Sequence, residues 1–151
     1  MDKLDVLRNS YEILRDPNRW TTGYAFRNAD GKGVDQNLAF EPGFGTPTRF
    51  CALGALRWVS TEQTYSSPEE ATAAERALLE ARRELLKIVC PHENLDDADD
   101  DLIVDYAEYI ATVNDGHGGY EEIMSAFRQA LANLTPAEPR EVELPKQKVL
   151  V

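Results

Sequence analysis

The chain has 151 residues, 42% of them hydrophobic and 28% charged, with two cysteines and a formal net charge of -11. Such a length suits one domain holding its own core, and no apolar run approaches the roughly 20 residues that a membrane-spanning helix needs. The acidic balance argues against direct contact with nucleic-acid phosphates or an anionic membrane and in favour of cations or basic protein surfaces.

Leu4, Leu7, Tyr11 and Leu14 alternate at three and four residues, which predicts a first helix over residues 2–15, capped by Asp2 and ended by Asp16-Pro17. Acids at Asp2 and Asp5 stand where a signal peptide carries bases, so the expected setting is cytoplasmic. From Trp20 to Phe40, apolar residues alternate with polar ones around Asn28-Ala29-Asp30-Gly31-Lys32-Gly33, predicting a small β-hairpin with Gly31 or Gly33 at positive φ. A loop over 41–47 leads to Thr46-Pro47, read as the start of a central helix that carries Phe50 to Trp58.

Ser67-Pro68-Glu69-Glu70 combines a capping residue, a first-turn proline and the second half of a capping box. A long helix therefore runs from Pro68 to the Cys90-Pro91 stop, with Ala71, Ala74, Leu78, Ala81, Leu85 and Ile88 inward. Its outer face carries Arg76, Glu80, Arg82, Arg83, Glu84 and Lys87 as solvated charge. Leu102, Ile103, Tyr106, Ile110 and Val113 mark the next helix, ended by Asn114-Asp115-Gly116 with Gly116 as a left-handed cap. A last helix begins near Tyr120 and places Ile123, Phe127, Ala130, Leu131 and Leu134 inward. The expected fold is mainly α: one compact domain over 1–134, of about five helices, with the hairpin inserted after the first. An extended tail follows over 135–151, whose Val149-Leu150-Val151 end could add as an edge strand.

Between Lys87 and Arg128 there is no Lys or Arg but there are eleven acids, so the whole excess charge lies in one segment. Asp96, Asp97, Asp99, Asp100, Asp101 and Asp105 are the candidate contacts for a basic protein partner. Asp97, Asp99, Asp101, Asp105 and Glu108 also fall at positions one, three, five, nine and twelve of a calcium loop, but Leu102 replaces the required glycine. Helix capping by Asp99 to Asp101 is the preferred reading.

Cys51, near the start of the central helix, is the candidate nucleophile of an alternative reading. In it His117 serves as base, Asn114 or Asp115 orients it, and the protein is a thiol hydrolase or transferase acting on amide or thioester bonds. The competing reading takes Cys51, Ala52, Gly54 and Ala55 as small residues that let a neighbouring helix pack closely. Cys90 and His92 complete the cysteines and histidines, yet all four lack the paired spacing of a zinc site. No metal or other cofactor is expected. Both cysteines are read as free thiols.

Trp20, Gly23 and Ala25, the turn Asp30-Gly31, the block Phe50-Cys51-Ala52-Leu53-Gly54-Ala55-Leu56 and the pair Asn114-Asp115 resemble a family of small uncharacterised proteins of bacteria and their phages. In that family the strings read W-C-A-L-G-A-L and N-D, so Phe50 is a departure. The resemblance covers residues 4–134 and carries no activity. It implies one compact domain, a bacterial or phage setting, and proximity of Cys51 to Asn114-Asp115. The leading functional expectation is a non-enzymatic acidic binding or regulatory protein that engages a basic partner or masks a nucleic-acid-binding site.

Overall fold

The computed structural model of the chain describes residues 1–35 and 40–135. Five α-helices carry the fold: α1 Lys3–Leu14, α2 Ala52–Ser60, α3 Pro68–Val89, α4 Asp100–Asp115 and α5 Gly119–Leu134. A short 3-10 turn, Pro17–Arg19, follows α1, and a three-stranded antiparallel sheet lies between it and α2. The mainly α architecture with a small β insertion after the first helix is the expected one. The expected tail, with Val149-Leu150-Val151, lies outside the described residues apart from Thr135.

Local chemistry sets most helix ends. Asp2 accepts from the Asp5 amide at 2.9 Å while the Asp5 carboxylate accepts from the Asp2 amide at 3.1 Å, a reciprocal box that starts α1. Ser67 accepts from the Glu70 amide at 3.2 Å, but Glu70 reaches back to the amide and hydroxyl of Ser66 rather than to Ser67. Gly118, not Gly116, takes the left-handed conformation (φ 73°) and caps α5, whereas Gly116 is extended. The tight α4–α5 corner explains the shift: Gly119 packs so closely on α4 that a Cβ there would lie 2.2 Å from the Asn114 carbonyl oxygen.

The β region differs from a simple hairpin. β1 Phe26–Arg27 pairs with β2 Gly33–Val34 on one side and with β3 Arg49–Phe50 on the other. Gly31 (φ 83°) turns the first pair, and Asn28 secures that turn by accepting from the amides of Asp30 and Lys32 at 3.0 and 2.9 Å. Residues 46–51 were expected in the central helix. Instead the Thr48 and Cys51 amides donate to the carbonyls of Arg27 and Ala25 at 2.8 and 3.1 Å, so the segment is spent on sheet pairing and the helix waits until Ala52. Phe26, Phe40, Phe44, Phe50 and Trp58 then pack as one aromatic cluster between sheet and α2, with ring centroids 5.2 to 6.4 Å apart.

The polar side of α3 is not simply solvated. Glu84 is buried and bridges Lys3 of α1 at 2.9 Å and Lys87 at 3.3 Å. Arg83 donates to the carbonyls of Leu95 and Ala98, holding the connection to α4 against α3. Arg82 lies largely within the fold with its Nε unpartnered among the described residues, and burial, reinforced by nearby Arg57, lowers its pKa. On α4 the buried stripe is Ile103, Ala107, Ile110 and Asn114, so Leu102, expected inward, is exposed.

Candidate functional site

Two regions hold the residues singled out by sequence. In the first, the start of α2 meets the end of α4 and the segment after the 3-10 turn. Asn114 is fully buried at their junction. Its Oδ1 accepts from the Trp20 indole at 2.9 Å and from the Ala52 amide at 3.0 Å, while its Nδ2 donates to the Thr21 carbonyl at 3.0 Å and to Asp115 Oδ1 at 2.9 Å. Asp115 Oδ1 also accepts from the Gly23 amide at 3.2 Å. Every hydrogen-bonding position of the Asn114 amide is thus occupied, and it supplies α2 with a partner for one of its orphan amides. Trp20 is fixed further by edge-on contact with Tyr120 at 5.3 Å, whose hydroxyl donates to the Leu14 carbonyl at 2.7 Å.

Cys51 stands at the N-cap of α2, not a turn inside it, and its Sγ accepts from the Gly54 amide at 3.3 Å. The helix-start amides favour a thiolate, but burial outweighs them and pushes the thiol up to about 11. His117 lies exposed in the α4–α5 corner. The geometry therefore brings Cys51 beside Asn114-Asp115, as the resemblance implied, with a protonated thiol and an amide already committed to structure. Gly54 is small for a reason other than helix packing: a Cβ there would sit 1.9 Å from the Ala25 carbonyl oxygen, the acceptor used by the Cys51 amide. Cys90, at the C-cap of α3, is partly exposed, with its thiol raised by burial and by Glu93. At pH 8, iodoacetamide is expected to label Cys90 at least about tenfold faster than Cys51, whose labelling follows opening of the fold. Peptide mass analysis over time checks this; rapid labelling of Cys51 under native conditions would support the thiol chemistry.

The second region is α4 and the loop before it. Asp96 pairs with Lys87 at 2.6 Å, and Asp100 forms a two-pronged pair with Arg76 at 2.8 and 2.6 Å; these bases hold both carboxyls below their usual range. Asp99 caps α4 by accepting from the Leu102 amide at 2.9 Å, and Asp97 accepts from Asn94 at 3.1 Å. Asp101 and Asp105 instead point to solvent, joined by Glu108, and none of the three has an ion pair among the described residues. Sequence reasoning grouped the six aspartates as partner contacts and read Asp99 to Asp101 as helix caps, of which Asp99 is the one that caps α4. It missed Glu108 as part of the same outward row and missed the exposed Leu102, Val104 and Tyr109 beside it.

Among the described residues no group of three or more His, Cys, Asp or Glu side chains is placed to hold a metal ion, and no helix is long and apolar enough to cross a membrane. Residues 1–133 match a family of unknown function, DUF6197. The chain belongs to that family. No curated protein and no solved structure matches this DUF6197 chain. The match spans all five helices but for the last residue of α5, so the DUF6197 unit contains both regions.

Proposed function

We propose that the protein is a non-enzymatic binding or regulatory protein whose acidic surface, centred on the outward side of α4, engages a basic protein partner. A partner that itself binds nucleic acid would have its phosphate-binding surface masked by the same contact. The resemblance of the Phe50–Leu56 block and Asn114-Asp115 supports a bacterial or phage setting, and the free thiols support a cytoplasmic one.

One observation carries the reading. In a segment with no Lys or Arg from Ile88 to Phe127, Asp101, Asp105 and Glu108 present carboxylates outward without a counter-ion among the described residues, whereas Asp96 and Asp100 are neutralised within the fold. Unpaired surface carboxylates of one sign steer a basic partner and set its orientation, and their effect weakens with salt. The thiol-hydrolase reading asks for a thiolate at Cys51, which its burial opposes.

Reversal of Asp101, Asp105 and Glu108 to Lys is expected to reduce capture of a basic partner from host extract by more than about tenfold at low salt, and raised salt should mimic it. Reversal of the same number of exposed acids on other helices, Glu12 of α1 and Glu69 and Glu75 of α3, serves as the control for net charge. Equal loss in both sets, or unchanged capture in the first, would sink the proposal.

A further inference from the structure

We infer that the partner docks on α4 as a basic amphipathic helix, with an apolar row set against Leu102, Tyr106 and Tyr109 and a neighbouring row of Lys or Arg set against Asp101, Asp105 and Glu108. This inference rests on the acidic-surface reading above and names the partner's form.

The two rows follow from helical spacing. Leu102, Tyr106 and Tyr109 are separated by four and three residues and so lie along one edge of α4, while Asp101, Asp105 and Glu108 repeat the same spacing one position earlier. The side chains are available: Leu102 is 36% and Tyr109 52% exposed, and the Tyr106 ring meets Tyr109 edge-on at 5.4 Å, which fixes both rings. Three of the five exposed large apolar residues among those described, Leu102, Val104 and Tyr109, belong to this one helix. Each row spans eight residues, and its seven steps of 1.5 Å cover about 10 Å, which matches two turns of a facing helix. A flat charged surface attracts any polycation, but an apolar row in fixed register with the charges rewards only a partner with the same periodicity.

Charge selects among occupants. A second copy of the chain docking through its own α4 would set like carboxylates against one another, and nucleic acid or anionic lipid would meet the same repulsion. A basic helix meets neither obstacle. Exposed tyrosines that are held in place are also the residue type that most often anchors such contacts.

The test uses the full chain and fluorescence anisotropy with three labelled peptides of about 18 residues, five helical turns. One has Leu at helical three-four spacing and Lys elsewhere, one has the same composition in scrambled order, and one is oligolysine. The patterned peptide is expected to bind at least about tenfold tighter than the scrambled one, and Leu102→Ser with Tyr109→Ser should bring the two within about twofold while leaving oligolysine binding unchanged. Both positions are exposed, so the double variant keeps its fold. Equal binding of patterned and scrambled peptides would overturn the inference while the acidic-surface reading stands. Binding of all three that survives Asp101→Lys with Asp105→Lys would overturn both. A dimer in sedimentation that the serine variants dissolve would make a second copy the occupant and end the inference.

Discussion

Asn114→Ala is expected to destabilise the protein by about 3 to 5 kcal/mol, because it strips partners from the Trp20 indole, the Ala52 amide and the Thr21 carbonyl at one buried point. Each such group left unpaired costs about 1 to 3 kcal/mol, and the three cannot all recover water without opening the junction. Asn114→Asp separates the hydrogen-bond account from mere volume. The introduced carboxylate still accepts from Trp20 and Ala52 but faces the Thr21 carbonyl and Asp115, so burial and like charge raise its folded pKa above the unfolded value. The folded state then binds its proton more tightly than the unfolded one. Its deficit relative to the parent is greatest above the raised pKa and shrinks as pH falls through it. Urea denaturation of both variants and the parent at pH 7.5 and pH 5.5 checks this; an Asp variant with the same deficit at both would contradict it.

Gly54→Ala is expected to cost about 3 kcal/mol or more, against a helix-propensity gain of about 1 kcal/mol. The new methyl would fall 1.9 Å from the Ala25 oxygen and 2.7 Å from its carbonyl carbon, backbone atoms that β1 holds in place. Relief requires α2 to move off the sheet, which breaks the Cys51-to-Ala25 hydrogen bond and loosens the contact of Phe50 with Phe26 and Trp58. Thermal unfolding of the variant should show the loss directly. An unchanged midpoint would mean that the helix and strand can separate freely, contrary to the packing described.

What could be read from sequence was what neighbours along the chain decide. Asp2 with Asp5, Ser67 with Pro68, and Asp99 ahead of Leu102 all act within one turn, so α1, α3 and the start of α4 were legible, as was the helical class. β3 was not, because Arg49 and Phe50 take strand geometry only through partners more than twenty residues earlier on β1. Thr46-Pro47 imitates a helix start that the sheet pre-empts. Glu84 and Arg83 look like any solvated charges until Lys3 and the Leu95 and Ala98 carbonyls arrive from elsewhere.

The candidate sites divide in the same way. The base-free acidic segment was plain from composition, but which carboxylates remain unpaired depends on Arg76 and Lys87 crossing from α3. Asn114 beside Asp115-Gly116 has the look of a turn residue. Its position four after Ile110 and seven after Ala107 put it on the buried stripe, a signal outweighed by its polarity. Leu102 was misplaced for the converse reason, an apolar residue one step off that stripe.

The Asn114 junction also bears on the order in which the chain assembles. Its hydrogen bonds span 94, 93 and 62 residues, so they close some of the longest loops among the described residues. Closing such loops costs entropy before any contact rewards it, and interactions of this span tend to form late. The helices and the pairing of α3 with α4 can precede them, since α3 and α4 are consecutive and joined by a short connection. Asn114 then acts as a latch set after the rest has docked, and a defect there shortens the lifetime of the folded state far more than it slows its formation.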